Sequence, residues 1–263
     1  MSLLSWIADR LILCPSTQPI DAQAKRREWI PTEFGRIEAW VGRFPNDDEP
    51  ELDLTILKFP GTGGRAERAG VHPAEIWGLR SEVWTINPHG YGGSTGPASM
   101  KKFPAMILAV ANHLQRNGGG RPVVVIGNSL GCVSALRFAE QFEPAGLILR
   151  NPPPVRNMIR TRPRYSAWNF GMSKVIADQV PVELDTIANA VGCTQPCLLI
   201  QSAEDQVVPV EYQDRIFNAY HGPIEKFVIE GADHHELVDE IQQQDYVEAI
   251  RRFKMKLPVC RRS

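Results

Sequence analysis

The run Val123-Val124-Val125-Ile126-Gly127-Asn128-Ser129-Leu130-Gly131 restricts this chain more than any other part of its sequence. Four consecutive apolar residues without polar alternation describe a strand covered on both faces, so it belongs inside a sheet flanked by helices. A helical pattern of Leu130, Val133, Leu136 and Arg137 follows at once. The strand must therefore turn sharply into a helix at Gly-x-Ser-x-Gly. Such a turn holds the serine in a strained backbone conformation with its hydroxyl clear of the sheet. Glycines at 127 and 131 remove Cβ atoms that would collide where strand and helix pass closely. The helix N-terminus then directs the Leu130 N–H toward any oxyanion forming beside Ser129.

The rest of the chain agrees with that setting. Strands are expected at 36–41, 52–59, 82–87, 123–126, 146–150, 196–202 and 225–229, and helices at 73–77, 104–116, 130–142, 210–220 and 235–256. Alternating strands and helices imply a mostly parallel sheet with right-handed crossovers. The 263 residues are read as one α/β domain. An N-terminal helix over about 2–13 precedes it. The proline- and aromatic-rich stretch at about 151–195 interrupts the alternation as a cap-like insertion over the strand ends.

A serine hydroxyl is a weak nucleophile and needs a base that is itself oriented by an acid. The strand at 197–201 runs into Ser202-Ala203-Glu204-Asp205, and the strand at 226–229 runs into Gly231-Ala232-Asp233-His234-His235-Glu236. Both loops leave carboxyl ends of strands, where open α/β sheets gather their ligand-binding groups. Asp205 is the expected acid, with Glu204 the alternative. His234 is the expected base, with His235 the alternative. Asp233 and Glu236 read as a capping box opening the last helix. Pro60-Gly61-Thr62-Gly63-Gly64 follows another strand, and the Thr62 N–H is the candidate second oxyanion donor beside Leu130. Gly61-Thr62-Gly63-Gly64-Arg65-Ala66 also fits a dinucleotide fingerprint in form. That reading lacks an acid at the end of the next strand, which closes on Asn87.

Net charge and segment lengths narrow the partners. A formal charge of −1 gives no electrostatic reason to expect nucleic acid. No apolar run reaches the roughly 18–20 residues that cross a bilayer. The first residues lack a basic segment and a small-residue cleavage site, so they make a poor leader. Leu3, Leu4, Ile7 and Leu11 share a helical face, expected to dock on the core, with contact at a membrane surface as the alternative. Cysteines at 14, 132, 193, 197 and 260 are scattered and odd in number, which fits reduced thiols and a cytoplasmic setting better than disulfides or zinc. Arg150, Arg156, Arg160, Arg162, Arg164 and Lys174 fall in a window without an acid. The window reads as a solvated surface or as an attractor of anions. Trp168, Phe170 and Met172 either line an acyl pocket or hold the insertion down.

Together with Asn87-Pro88-His89-Gly90-Tyr91-Gly92-Gly93-Ser94, these motifs resemble the serine α/β-hydrolase superfamily, from about residue 30 to the C-terminus. The nearest resemblance is to esterase-like members with a short cap. Members often carry His-Gly where this chain has Pro60-Gly61, and Asp-x-Arg-Gly-x-Gly-x-Ser where it has His89 in the arginine's place. The resemblance implies a catalytic triad of Ser129, His234 and Asp205, an oxyanion hole at Leu130 and Thr62, and cleavage of an ester or thioester of a small acyl substrate through an acyl-enzyme. It implies no metal or organic cofactor. Relatives with an aspartate at the elbow, such as haloalkane dehalogenases and epoxide hydrolases, are set apart by Ser129. An acyltransferase, lipase or peptidase, or a non-catalytic binding member, are the alternatives.

Overall fold

The computed structural model describes residues 3–47, 49–161 and 170–258. Arg162, Arg164, Trp168 and Cys260 lie outside the described residues, as do the side chains of Phe170 and Met172. Eight strands form one sheet in the order β1-β2-β4-β3-β5-β6-β7-β8. They are β1 (Arg26–Thr32), β2 (Gly35–Phe44), β3 (Leu54–Phe59), β4 (Ser81–Asn87), β5 (Val123–Asn128), β6 (Gly146–Arg150), β7 (Cys197–Ser202) and β8 (Ile224–Ile229). The pairs β1–β2 and β2–β4 are antiparallel, and β4 through β8 are parallel. Sequence periodicity missed β1, whose Arg-Arg-Glu-Trp start offers no apolar alternation. It is built by exact antiparallel register with β2, from Arg26 opposite Val41 to Thr32 opposite Gly35.

Nine helices are described: α1 (Leu3–Ile12), α2 (Ala74–Trp77), α3 (Phe103–Asn117), α4 (Gly131–Phe142), α5 (Val155–Thr161), α6 (Phe170–Ala177), α7 (Thr186–Gly192), α8 (Val210–Ala219) and α9 (Gln243–Lys254). The sheet has two apolar faces, and β3 shows how the chain serves both. Leu57 and Phe59 enter the core shared with α3 and α4, while Leu54 and Ile56 enter the core shared with α2 and α9. In β5, Val125 joins the first and Val124 the second, as the unbroken apolar run requires.

Two expected features take a different form. The helix expected at 235–256 begins only at Gln243. Asp233 and Glu236 do make the reciprocal bonds of a capping box (2.7 and 3.1 Å), but no helix follows. The Glu236 carbonyl is held by the Arg150 guanidinium, and the Gln242 side chain is bonded to the backbone of Glu230 (2.9 and 3.1 Å). These contacts fix 234–242 as an irregular loop, leaving Leu237 and Ile241 exposed.

The second concerns α1. It buries Ser5, Ala8 and Asp9, whereas Leu3, Trp6 and Leu11 are exposed. The expected apolar face is therefore not docked as a whole: Leu3 and Leu11 are exposed, and Leu4 and Ile7 are only half-buried. Asp9 decides this, because its carboxylate accepts the Met100 N–H (2.8 Å), and a buried backbone donor must be paired. Between β6 and β7 lie α5, α6 and α7, with α6 packed on both α5 and α1. Among the described residues, no helix is long and apolar enough to cross a membrane.

Core and surface leucines on the two helices of one face should separate cleanly in stability. Leu136 on α4 is fully buried and Leu108 on α3 is about half exposed. Leu136→Ala should cost about 2–5 kcal/mol through the cavity it leaves. Leu108→Ala should stay within about 0.5 kcal/mol. Urea denaturation followed by circular dichroism reads both.

Candidate active site

β5 ends at Asn128, and the chain turns at Ser129 with φ of +50°, a left-handed conformation rarely adopted by a residue with a Cβ. Neighbours hold it there. The Ser129 N–H donates to the Arg150 carbonyl at the end of β6 (2.8 Å), and the Ser129 carbonyl accepts the Cys132 N–H (2.8 Å). A Cβ on Gly127 would lie 2.6 Å from the Cys132 Cα, and one on Gly131 would collide with the Phe59 carbonyl. Strand and helix are that close because both glycines lack a side chain.

The structure brings Ser129, His234 and Asp205 together. His234 Nε2 lies 2.9 Å from Ser129 Oγ, and His234 Nδ1 lies 2.6 Å from Asp205 Oδ2. The Asp205 side chain is wholly buried and that of His234 nearly so. A buried carboxylate needs hydrogen-bond donors, and Asp205 has several besides the imidazole. The Val207 and Val208 N–H groups bond Oδ1 at 2.8 and 2.7 Å, and Gln213 Nε2 on α8 bonds Oδ2 at 3.1 Å. Glu204 is exposed, and its N–H is bonded to the Ala232 carbonyl (2.9 Å). His235 is exposed and stacks edge-on against His234 with ring centroids 5.1 Å apart.

Asn151 and Gln213 escaped the sequence reading. Asn151 has φ of +48°. Its amide donates to Ser202 Oγ (3.0 Å) and to the His234 carbonyl (3.3 Å), while its oxygen accepts the Ser202 N–H (2.8 Å). It ties the end of β6 to the loops carrying Asp205 and His234. Nothing in the local pattern marks either residue, since each acts only through its spatial neighbours.

The Pro60–Gly64 loop turns tightly, with the Gly64 N–H on the Gly61 carbonyl (2.9 Å). No helix long enough for a dinucleotide site follows it, only a 3₁₀ turn at Ala66–Arg68. Thr62 Oγ1 donates to the Ile12 carbonyl at the end of α1 (3.2 Å). Among the described residues, neither the Thr62 nor the Leu130 N–H is paired with a backbone carbonyl. Behind the loop is a buried polar brace. The Asn87 oxygen accepts the Ala66 N–H (2.9 Å), and its amide donates to Glu38 (2.8 Å) and Glu67 (3.0 Å). Arg65 pairs with Glu67. Burial opposes ionisation of Glu67, but the bonds from Arg65 and Asn87 outweigh it and hold its carboxyl below the usual range. His89, the departure in the second motif, is buried between Thr32 Oγ1 (3.0 Å) and the Thr95 carbonyl (2.7 Å). It lies outside the cleft.

Ser129 and His234 open into a cleft of about 400 Å³ whose walls include Leu11 and Ile12 of α1, Val155, Met158 and Ile159 of α5, and Val207 and Val208. The arginines of α5 do not face it as free charges. Arg156 pairs with Asp178 and Asp185, and Arg160 pairs with Asp178. The acid-free window in the sequence ends just before these acids. Among the described residues, no group of three or more His, Cys, Asp and Glu is placed to hold a metal ion.

Cys132 stands three residues from Ser129, but burial pushes its thiol well above the ordinary range. Burial pushes Cys193 up to about 12 and holds the Cys197 thiol well above its ordinary range. Cys14 is exposed. Brief alkylation at mildly alkaline pH should therefore modify Cys14 and spare Cys132, Cys193 and Cys197 until the protein is unfolded. Peptide mass spectrometry reads the sites individually; labelling of native Cys132 would count it as a rival nucleophile.

No family model matches the chain. An uncharacterized protein of Mycobacterium tuberculosis (strain H37Rv) is 28% identical over 254 residues, covering 93% of this chain and 86% of that protein. The human alpha/beta hydrolase domain-containing protein 17B is 27% identical over 177 residues, 66% of this chain and 57% of that protein. Among solved structures, the Pyrococcus furiosus esterase Pf2001 superposes with a TM-score of 0.68 at 17% identity, over 94% of this chain and 98% of that one. Est1E from Butyrivibrio proteoclasticus superposes with a TM-score of 0.64 at 18% identity, over 88% of this chain and 98% of that one.

Proposed function

We propose that this chain, an α/β-hydrolase by fold, is a serine hydrolase that cleaves a carboxylic ester or thioester. The observation that carries the reading is the unbroken chain from Ser129 Oγ through His234 to buried Asp205, at 2.9 and 2.6 Å. Those are the distances at which a base can take a hydroxyl proton and an acid can orient that base.

In this reading Ser129 Oγ attacks the substrate carbonyl as its proton passes to His234 Nε2. Asp205, fixed by the Val207, Val208 and Gln213 donors, holds Nδ1–H and stabilises the imidazolium. The carbonyl electrons move to oxygen, where the Leu130 and Thr62 N–H groups receive the charge. When that oxyanion collapses, His234 gives its proton to the leaving alcohol or thiol and an acyl-serine remains. Water, deprotonated by His234, then repeats the addition at the acyl carbon, and collapse restores Ser129 and releases the carboxylic acid. An apolar acyl group suits the Leu11, Ile12, Val155, Met158 and Ile159 wall.

A fluorophosphonate should add once, at Ser129, and Ser129→Ala should abolish the adduct; intact and peptide mass spectrometry decide this. His234→Ala should lower kcat on p-nitrophenyl butyrate by several orders of magnitude with a smaller change in KM, because proton transfer belongs to the transition state. Equal losses from His235→Ala, with His234→Ala mild, would assign the base to the other histidine.

A further inference from the structure

A second cavity, of about 350 Å³, lies on the α2 and α9 side of the sheet and meets the first cleft along Gly61, Asn128 and Arg150, which line both. Its charge differs from that of the first. Lys58, Arg65, Arg68 and Arg150 line it, and no acidic residue does. Arg65 is neutralised by Glu67. Lys58 donates to the Gly70 carbonyl (2.7 Å) and Arg150 to the Glu236 carbonyl. Among the described residues, neither of these cations nor Arg68 has a carboxylate within salt-bridge distance, and Arg150 Nε has no hydrogen-bond partner.

Lys58 is out of place by pattern. On β3 it follows Leu54 and Ile56 on one face, where both join the apolar core, and a period of two calls for a third apolar residue. Burial instead pushes its ammonium down to about 8, with Glu75 only partly opposing. The same burial, with Lys58 adding to it, brings neighbouring His72 down to about 4, so the imidazole there is neutral. Cations that face one cavity without a directly paired carboxylate repel one another and favour an anionic occupant.

The placement relates this space to the reaction. Lys58 is paired with Ile126 in the β3–β5 register, three residues before Ser129, or about 10 Å along the strand. A Cβ on Gly61 would stand 3.0 Å from the Asn128 carbonyl oxygen and 3.2 Å from Ser129 Cβ, so glycine there keeps the seam between the cavities open. Arg150 joins the second cavity to the His234 loop through Glu236, and His234 is the group that returns a proton to the leaving atom. The apolar wall of the first cleft, under α1 and α5, is left for the acyl chain.

We propose that the second cavity receives the leaving-group side of the substrate, and that the leaving alcohol or thiol carries a phosphate held by Lys58, Arg68 and Arg150. The assignment rests on the hydrolase reading above, and its test separates the two. Butanoate esters of 4-methoxyphenol and of 4-hydroxyphenyl phosphate share an acyl chain and an aryl leaving oxygen and differ in the anion. The phosphorylated ester should show the higher kcat/KM, and both Lys58→Gln and Arg68→Gln should lower the phosphorylated-to-neutral ratio by about ten- to a hundredfold, the range of a hydrogen bond to a charged group. Arg68 is exposed, so its variant guards against a folding defect, and fluorophosphonate labelling of Ser129 checks both proteins.

Calorimetric binding of 4-hydroxyphenyl phosphate to the Ser129→Ala protein needs no turnover and should weaken in the same two variants. Ser129-dependent hydrolysis of the neutral ester with no preference for the phosphorylated one, or a ratio indifferent to both substitutions, overturns the cavity assignment and leaves the hydrolase reading intact. Phosphate binding that depends on Lys58 in a protein that hydrolyses neither ester overturns the hydrolase reading and, with it, the leaving-group role. A matching gain for the hemisuccinate ester of 4-methoxyphenol, whose anion is on the acyl side, overturns the leaving-group placement.

Discussion

The site depends on one strained residue and on what prevents it from relaxing. A non-glycine residue in the left-handed region costs on the order of 1–3 kcal/mol, and Ser129 is held there by its N–H on the Arg150 carbonyl and its own carbonyl on Cys132. Relaxing it would break its bonds to the end of β6 and to Cys132, at a crossing so close to the Phe59 carbonyl that a Cβ at position 131 would collide with it. The strain is therefore supported by the whole β3–β5–β6 packing. Its effect is to set Oγ at the cleft, 2.9 Å from His234 Nε2, beside a Leu130 N–H that no backbone carbonyl among the described residues takes up.

β6 organises more than its short length suggests. Its last residue, Arg150, anchors the Ser129 turn by its carbonyl and the His234 loop by its guanidinium. The next residue, Asn151, binds Ser202 and the His234 carbonyl. The Ala203 and Glu204 N–H groups then pair with the carbonyls of Ile229 and Ala232. Three loops from three strands are in this way held to one another by backbone bonds as well as by the Ser129–His234–Asp205 contacts. Such cross-bracing is the preorganisation that the proposed proton transfer and oxyanion stabilisation would require.

Charge counted along the chain and charge in space give different pictures. The arginine-rich window at 150–174 stands out in the sequence, yet Arg156 and Arg160 are paired with Asp178 and Asp185. The cations without a carboxylate partner come from three separate places: Lys58 on β3, Arg68 after the Pro60–Gly64 loop and Arg150 at the end of β6, with none from the described residues of α5 and α6. Ionic pairing follows spatial neighbours, and a sequence window sees those only when they fall inside it.

The sequence by itself determined the parallel α/β class, most strand positions, the Ser129 turn and the two loops bearing Asp205 and His234. Each is encoded locally: by apolar runs that need cover on both faces, by glycines at a close crossing, and by polar residues just past strand ends. Tertiary structure decided the rest. β1 exists because β2 offers it a register, since its own sequence has no alternation. α1 buries Ser5, Ala8 and Asp9 ahead of its leucines because Asp9 meets the Met100 N–H, a contact between residues 91 positions apart. The last helix starts late because Arg150 and Glu230 capture the loop before it. The choice of His234 over His235 as Ser129's neighbour, and of Asp205 over Glu204 as His234's, likewise rests on which side chain each loop turns inward. Adjacent residues share composition and propensity, so only the packed loops, fixed by bonds to distant backbone, can distinguish them.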